Sequence, residues 1–329
     1  MKKGYSIIEI LIVIAIMGIL AGGILTAYRF IAKENVTRHL VAKHEQDVAV
    51  LINQLLKDVE SAGFGIDIDT LNSETKIIDN TLVFPSLATR EEERSGCWAA
   101  VVKEKDEEKY KLHSAILDEN TESKNYMGEY CDLNPKDYWY VILNPSDKKN
   151  KCEGGSLCQC GIDVIYCDEQ YKNTIAFYAT KRNDYQYPQS FIVTYSLTQD
   201  NLPKECAPGT YNLAKTLGTQ GKPGYQANQP VISCVFPNGF KVRAGIQSGS
   251  SISYQDSVSS DNIEKHNLKL FRICLILQVG GRQDTSSAQP QFSTDCGGGP
   301  TIDTAWWNNT GRWYRWKVIE QDIPLRNYQ

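Results

Sequence analysis

The chain has 329 residues, 41% of them hydrophobic, and sets 35 Lys and Arg against 39 Asp and Glu for a net charge of −4. That length and apolar share are enough for a sizeable core and exclude an intrinsically disordered chain. The negative balance, carried by the region beyond Ser61, has the wrong sign for a nucleic-acid binder, so no nucleic-acid partner is expected.

Residues 2–25 read KKGYSIIEILIVIAIMGILAGGIL. No residue from Ile10 to Tyr28 is charged, and at about 1.5 Å per residue this run is roughly the thickness of a bilayer's hydrocarbon core. It predicts a membrane-spanning helix over about residues 10–28. Glu9 stands at the front of that run. A carboxylate in such a segment costs on the order of 2.5–3.5 kcal/mol at mid-bilayer, which predicts a function for it and an amine as its partner. An ordinary secretory signal has an apolar core of about 7–15 residues and a small-x-small cleavage site. Here the run is longer and offers only Leu25-Thr26-Ala27. A plain signal anchor would span the bilayer but has no use for a glycine, an aromatic residue and a glutamate at its mouth.

This arrangement resembles the class III signal of type IV pilins and type II secretion pseudopilins. The resemblance implies a leader over residues 1–4 with Lys2 and Lys3 as its basic part, cleavage by a prepilin peptidase between Gly4 and Tyr5, and N-methylation at Tyr5. It also implies a role for Glu9 in filament assembly, its carboxylate neutralising the terminal amine of an adjacent subunit; a position in the headgroup region is the other reading. The family usually opens its mature chain with Phe, where this one has Tyr5.

Beyond the apolar run the pattern stays helical and turns amphipathic. Val41, Val48, Leu51, Ile52, Leu55, Leu56 and Val59 recur at spacings of three, four and seven, with Lys43, Glu45, Asp47, Lys57 and Asp58 between them. A helix is predicted over 5–62, stopping at Gly63-Phe64-Gly65. Gly18, Gly22 and Gly23 inside it allow close approach of neighbouring helices or a local softening.

From Ile66 onward short runs rich in β-branched and aromatic residues predict strands at Thr81–Phe84, Ala99–Lys103, Tyr138–Leu143, Thr174–Thr180, Phe191–Ser196, Val231–Phe236 and Leu268–Val279. They predict an antiparallel sheet laid on the helix's apolar stripe, with 63–329 as a β-rich extracytoplasmic head and α+β as the fold class. Arg90–Arg94 and Lys103–Lys111 read as solvated loops or a surface helix, and Ser248–Ser253, Ser257–Asn262 and Gly297–Pro300 as loops. No internal repeat is present.

All ten cysteines, Cys97, Cys131, Cys152, Cys158, Cys160, Cys167, Cys206, Cys234, Cys274 and Cys296, lie beyond the membrane run. An even count on one side predicts an oxidising compartment and up to five disulfides. The cluster from Cys152 to Cys167 lacks paired Cys-x-x-Cys spacing and a nearby histidine, so zinc is not expected there. The pairing stays open, except that Cys158 and Cys160 are expected to bond elsewhere rather than to each other.

His39, His44, His113 and His266 form no His-x-x-x-His pair, and no HExxH, GxSxG or P-loop occurs. The chain therefore reads as a non-enzyme without a cofactor. Asp256, Asp261 and Glu264, with Asn262, are dense enough in oxygen ligands to suggest Ca²⁺, but lack the glycine and spacing of an EF-hand; a plain acidic turn is the alternative. Trp306, Trp307, Trp313 and Trp316, with Tyr314, form a dense aromatic group that could anchor a partner or stack on sugars, or else cover the sheet and a disulfide.

Residues 55–65, LLKDVESAGFG, resemble the "LxxDIRxAGYG" helix end of PilW-type minor pilins. Trp316–Asn327, WKVIEQDIPLRN, is similar to their last strand closing on "LRN", and Arg243–Asp256 with Leu268–Val279 resemble their "GI…Y…D" loop and "VRVxLLV" strand. Residues 86–230 are unplaced by the resemblance. It implies a subunit of the bacterial inner membrane, single-pass with its head outside the cytoplasm, that later enters a pilus filament. The implied partners are other minor pilins, the major pilin, the assembly platform and a tip adhesin. A J-type pseudopilin of type II secretion is the related alternative, and an adhesive or carbohydrate-binding head one of a different class.

Overall fold

A computed structural model describes residues 7–89, 98–103, 110–114, 138–144, 166–167, 172, 174–181 and 187–328. The chain divides into two units, Met1–Val50 and Leu51–Gln329. The first is the major part of helix α1, Ile7–Glu60. Its apolar side chains stand open: Ile7 is 78% exposed, Met17 67%, Ile24 68% and Tyr28 70%. Among the described residues no helix is long and apolar enough to cross a membrane. The crossing expected over 10–28 runs through Ile10, Val13 and Ala15, whose side chains lie outside the described residues.

The second unit opens with the last turns of α1, where Leu55, Val59 and Ala62 are buried. The helix ends at Glu60, and the glycines that follow turn the chain, with Gly63 and Gly65 at φ of 77° and 68°. Helix α2, Ile68–Glu74, is capped by Asp67, whose carboxylate accepts from the Thr70 amide. Among the described residues thirteen strands follow: β1 Lys76–Ile78, β2 Thr81–Pro85, β3 Trp98–Lys103, β4 Tyr110–Ser114, β5 Tyr138–Leu143, β6 Tyr166–Cys167, β7 Ile175–Lys181, β8 Ile192–Thr198, β9 Tyr211–Leu217, β10 Gln226–Ser248, β11 Ser251–Gln255, β12 Leu268–Gln278 and β13 Trp316–Pro324.

They form two antiparallel sheets where one was expected. The larger has the order β1-β2-β8-β9-β10-β12-β13, with β11 paired to β10, and the smaller the order β5-β7-β3-β4-β6. The smaller sheet lies wholly within one excursion of the chain between β2 and β8. Those two strands are hydrogen-bonded neighbours, Pro85 facing Ile192, and the Ser86 amide donates to the Phe191 carbonyl at 3.0 Å.

Three expected loops are corrected. Lys103–Lys111 has strand at both ends, Lys103 closing β3 and Tyr110 and Lys111 opening β4, which pair so that Lys103 faces Tyr110. Ser248–Ser253 is a hairpin: β10 runs to Ser248 and β11 begins at Ser251, because Gly249 at φ 62° makes the tight turn and leaves Ser248 facing Ser251. Ser257–Asn262 contains a helix start, since the Ser259 hydroxyl accepts from the Asn262 amide and caps the helix Ser260–Glu264.

In β12 both faces are buried. Phe271, Ile273, Leu275 and Leu277 lie on one face and Cys274 and Ile276 on the other. The second face carries a cluster of its own, in which Cys274 and Ile276 meet Phe236, Phe292 and Cys296. It is closed by residues 279–315, a long connection between adjacent strands that the Cys274–Cys296 disulfide straps to the sheet.

Candidate functional site

The residues that the class III resemblance singles out stand at the N-terminus. Lys2, Lys3, Gly4 and Tyr5 lie outside the described residues; Glu9 is placed in α1 by its backbone, and its side chain lies outside them.

The joint between helix and head is described in detail. Asp58, in the last turn of α1, accepts from the Tyr195 hydroxyl at 2.5 Å and from Lys215 Nζ at 2.5 Å. Tyr195 and Lys215 face each other across β8 and β9, so one register position presents both donors to one carboxylate. The site is largely dry, with side-chain exposures of 11% for Lys215 and 16% for Asp58. Burial, and then the Asp58 charge, pushes the Tyr195 hydroxyl's pKa well up, so it remains a proton donor.

The turn after the helix is held by the chain's last residues. Asn327 Nδ2 donates to the Ala62 carbonyl at 3.0 Å, Arg326 pairs with Glu60 at 3.4 Å, and the buried Tyr328 hydroxyl bonds Thr75 Oγ1 at 2.7 Å. A Cβ on Gly63 would stand 2.8 Å from the Tyr328 ring, and at φ 77° only glycine sits without strain. Next to it, Tyr187 donates to the buried Asp67 carboxylate. Sequence reasoning missed Asp58, Tyr195 and Lys215 as a group; their only signal was an aspartate one position before the buried Val59.

On the other face of the sheet, the Trp306 ring meets Phe236 edge-on at 5.2 Å between centroids and Trp316 does so at 4.8 Å, with Trp307 tilted at 6.3 Å. These three tryptophans cover the cluster that holds the Cys274–Cys296 disulfide. The Trp306 indole also donates to the Pro208 carbonyl at 2.7 Å, beside the second disulfide, Cys206–Cys234. Trp313 stands apart from them, under two guanidinium groups. No free cysteine occurs among the described residues. Cys167 ends β6, while Cys97, Cys131, Cys152, Cys158 and Cys160 lie outside them.

Next to the aromatic cluster runs a charged ladder. Arg243 and Arg272 face each other across β10 and β12, a like-charge pair that needs anions around it. Arg243 pairs with Asp256 at 2.9 Å, and Arg272 with Asp322 at 2.9 Å and Glu320 at 3.3 Å. The acidic residues suggested for Ca²⁺ do not converge. Asp256 is held by Arg243 and Lys241, Asp261 by Lys265, and Glu264 accepts from Asn72. Among the described residues no three His, Cys, Asp or Glu side chains are placed to hold a metal ion.

Burial pushes the Glu320 carboxyl up, but the Ser293 hydroxyl and amide and Arg272 together outweigh it and hold it below the ordinary value of 4.5. A depressed folded-state pKa contributes stability above the unfolded value, and that contribution is lost as pH falls through the folded value. Glu320→Gln is thus expected to lower the urea midpoint at pH 7, and the gap from wild type to narrow at pH 3. An equal gap at both values would exclude the charge as the cause.

Residues 1–25 match the prokaryotic N-terminal methylation motif. The motif supports a type IV pilin-like or pseudopilin-family protein, which implies processing by prepilin peptidase and assembly with other pilins. No curated protein and no solved structure matches the chain.

Proposed function

We propose that the chain is a minor pilin of the PilW type, anchored in the bacterial inner membrane and then drawn into a type IV pilus, whose assembly it helps initiate or cap. The observation that carries this reading is the methylation motif over residues 1–25. A second supports it: the described large apolar side chains between Leu11 and Tyr28 are more than half exposed, and a helix stretch bare of charge on every side needs lipid or other helices around it. A third concerns two of the segments that resemble PilW-type proteins, the helix end and the closing "LRN". They meet in the folded head, where Asn327 bonds Ala62. The partners follow from the role: other minor pilins, the major pilin, the assembly platform and a tip adhesin.

The test begins with processing. N-terminal sequencing of the membrane form is expected to start at Tyr5 in wild type and at Met1 in Gly4→Leu, because the leader is then retained. A native N-terminus near Ala27 overturns the reading. The pilus role requires the chain in sheared filaments; its absence there, together with a block in export of secreted proteins when it is deleted, would assign it to type II secretion.

A further inference from the structure

We propose that the strip around Trp313 is a docking surface for a carboxylate-rich segment of another polypeptide chain. Beyond residue 50 the structure describes six arginines, and they fall into two groups. Arg243, Arg272 and Arg326 each pair with a carboxylate. Arg282, Arg312 and Arg315 enter no ion pair among the described residues, and all three lie on the connection 279–315. There the Gln283 amide donates to the Trp313 carbonyl at 2.7 Å, the Ser287 amide to the Arg312 carbonyl at 2.6 Å and the Val279 amide to the Arg315 carbonyl at 2.9 Å.

Trp313 organises the cations. The Arg312 guanidinium carbon lies 4.6 Å from its ring centroid and that of Arg282 5.9 Å. Arg312 Nε is buried with no hydrogen-bond partner among the described residues. Arg282, Arg315 and Lys317 are exposed.

Pre-positioned guanidinium forks match carboxylates, and among the described residues this strip gathers the arginines that enter no ion pair, a local positive patch that complements an acidic segment on a chain whose net charge is −4. The same geometry disfavours carbohydrate stacking, because the half-buried Trp313 ring already has guanidinium groups over it. The surface lies on the head, and the inference does not depend on the filament role.

The experiment titrates fluorescein-labelled deca-glutamate with the full chain in detergent micelles and reads anisotropy. Binding is expected at 50 mM NaCl, to weaken at least tenfold at 300 mM, and to weaken about tenfold in Arg282→Ala/Arg315→Ala, both exposed sites that spare the buried Arg312. Lys204→Ala/Lys222→Ala removes the same charge elsewhere and is expected to change nothing. Equal losses in the two double variants overturn the proposal, as does wild-type binding of polygalacturonate without binding of deca-glutamate.

Discussion

Glu9→Ala is expected to leave the level of the chain in the membrane equal or higher while its incorporation into sheared pili falls tenfold or more. Glu9 is the sole acidic residue between Tyr5 and Lys33, so its removal lifts an insertion cost that is about 2.5–3.5 kcal/mol at mid-bilayer and smaller at the front of the span where Glu9 stands. In the filament the effect is expected to reverse. Under the proposed charge pair, the terminal amine of a neighbouring subunit would lose its partner in a low-dielectric surrounding, where a lone charge is severely penalised. Immunoblots of membranes and of sheared pili, with Ile10→Ala as apolar control, separate the two effects. Normal incorporation of Glu9→Ala would remove the charge pair as the assembly mechanism of this subunit, whatever the fate of its leader.

The second large effect is expected at the joint. Asp58→Ala withdraws the carboxylate that Tyr195 and Lys215 both reach at 2.5 Å. Breaking a buried pair by removing one partner costs about 3–5 kcal/mol, and the residual exposure of these groups favours the lower end. Urea unfolding of the full chain in detergent micelles should show that loss, with a smaller one for Tyr195→Phe, which deletes a single hydroxyl. In a double-mutant cycle the Asp58→Ala and Tyr195→Phe effects should be non-additive. Additive losses would mean that Asp58 acts without Tyr195.

Sequence pattern was a good guide to this head where burial and residue type agree. Tyr138–Leu143 is all β-branched, aromatic or leucine, and its predicted span is the observed one. The strand Val231–Phe236 was recognised but too short: β10 extends from Gln226 to Ser248 through polar residues and register shifts that no alternation marks. Strand β9 was missed because Asn212 and Lys215 look solvated in sequence, yet both are buried, Asn212 donating to the Asp200 carbonyl and Lys215 to Asp58. The joint was illegible for the same reason. Asp58 lies 137 residues from Tyr195 and 157 from Lys215, and only the paired strands bring them together. The N-terminal pattern, by contrast, is local in sequence, and the methylation motif matches it over residues 1–25.

The way β2 and β8 close on each other makes the hundred-odd residues between them, second sheet included, the equivalent of a very long hairpin turn. With Pro85 opposite Ile192 and the Ser86 amide on the Phe191 carbonyl, that stretch leaves and re-enters the framework at adjacent points. The closure entropy of such a loop rises by only about 0.6 kcal/mol for each doubling of its length. The scaffold can therefore display appendages of very different size, growing or exchanging whatever hangs at this one position without any change to the helix, the Asp58 joint or the strapped back of the sheet.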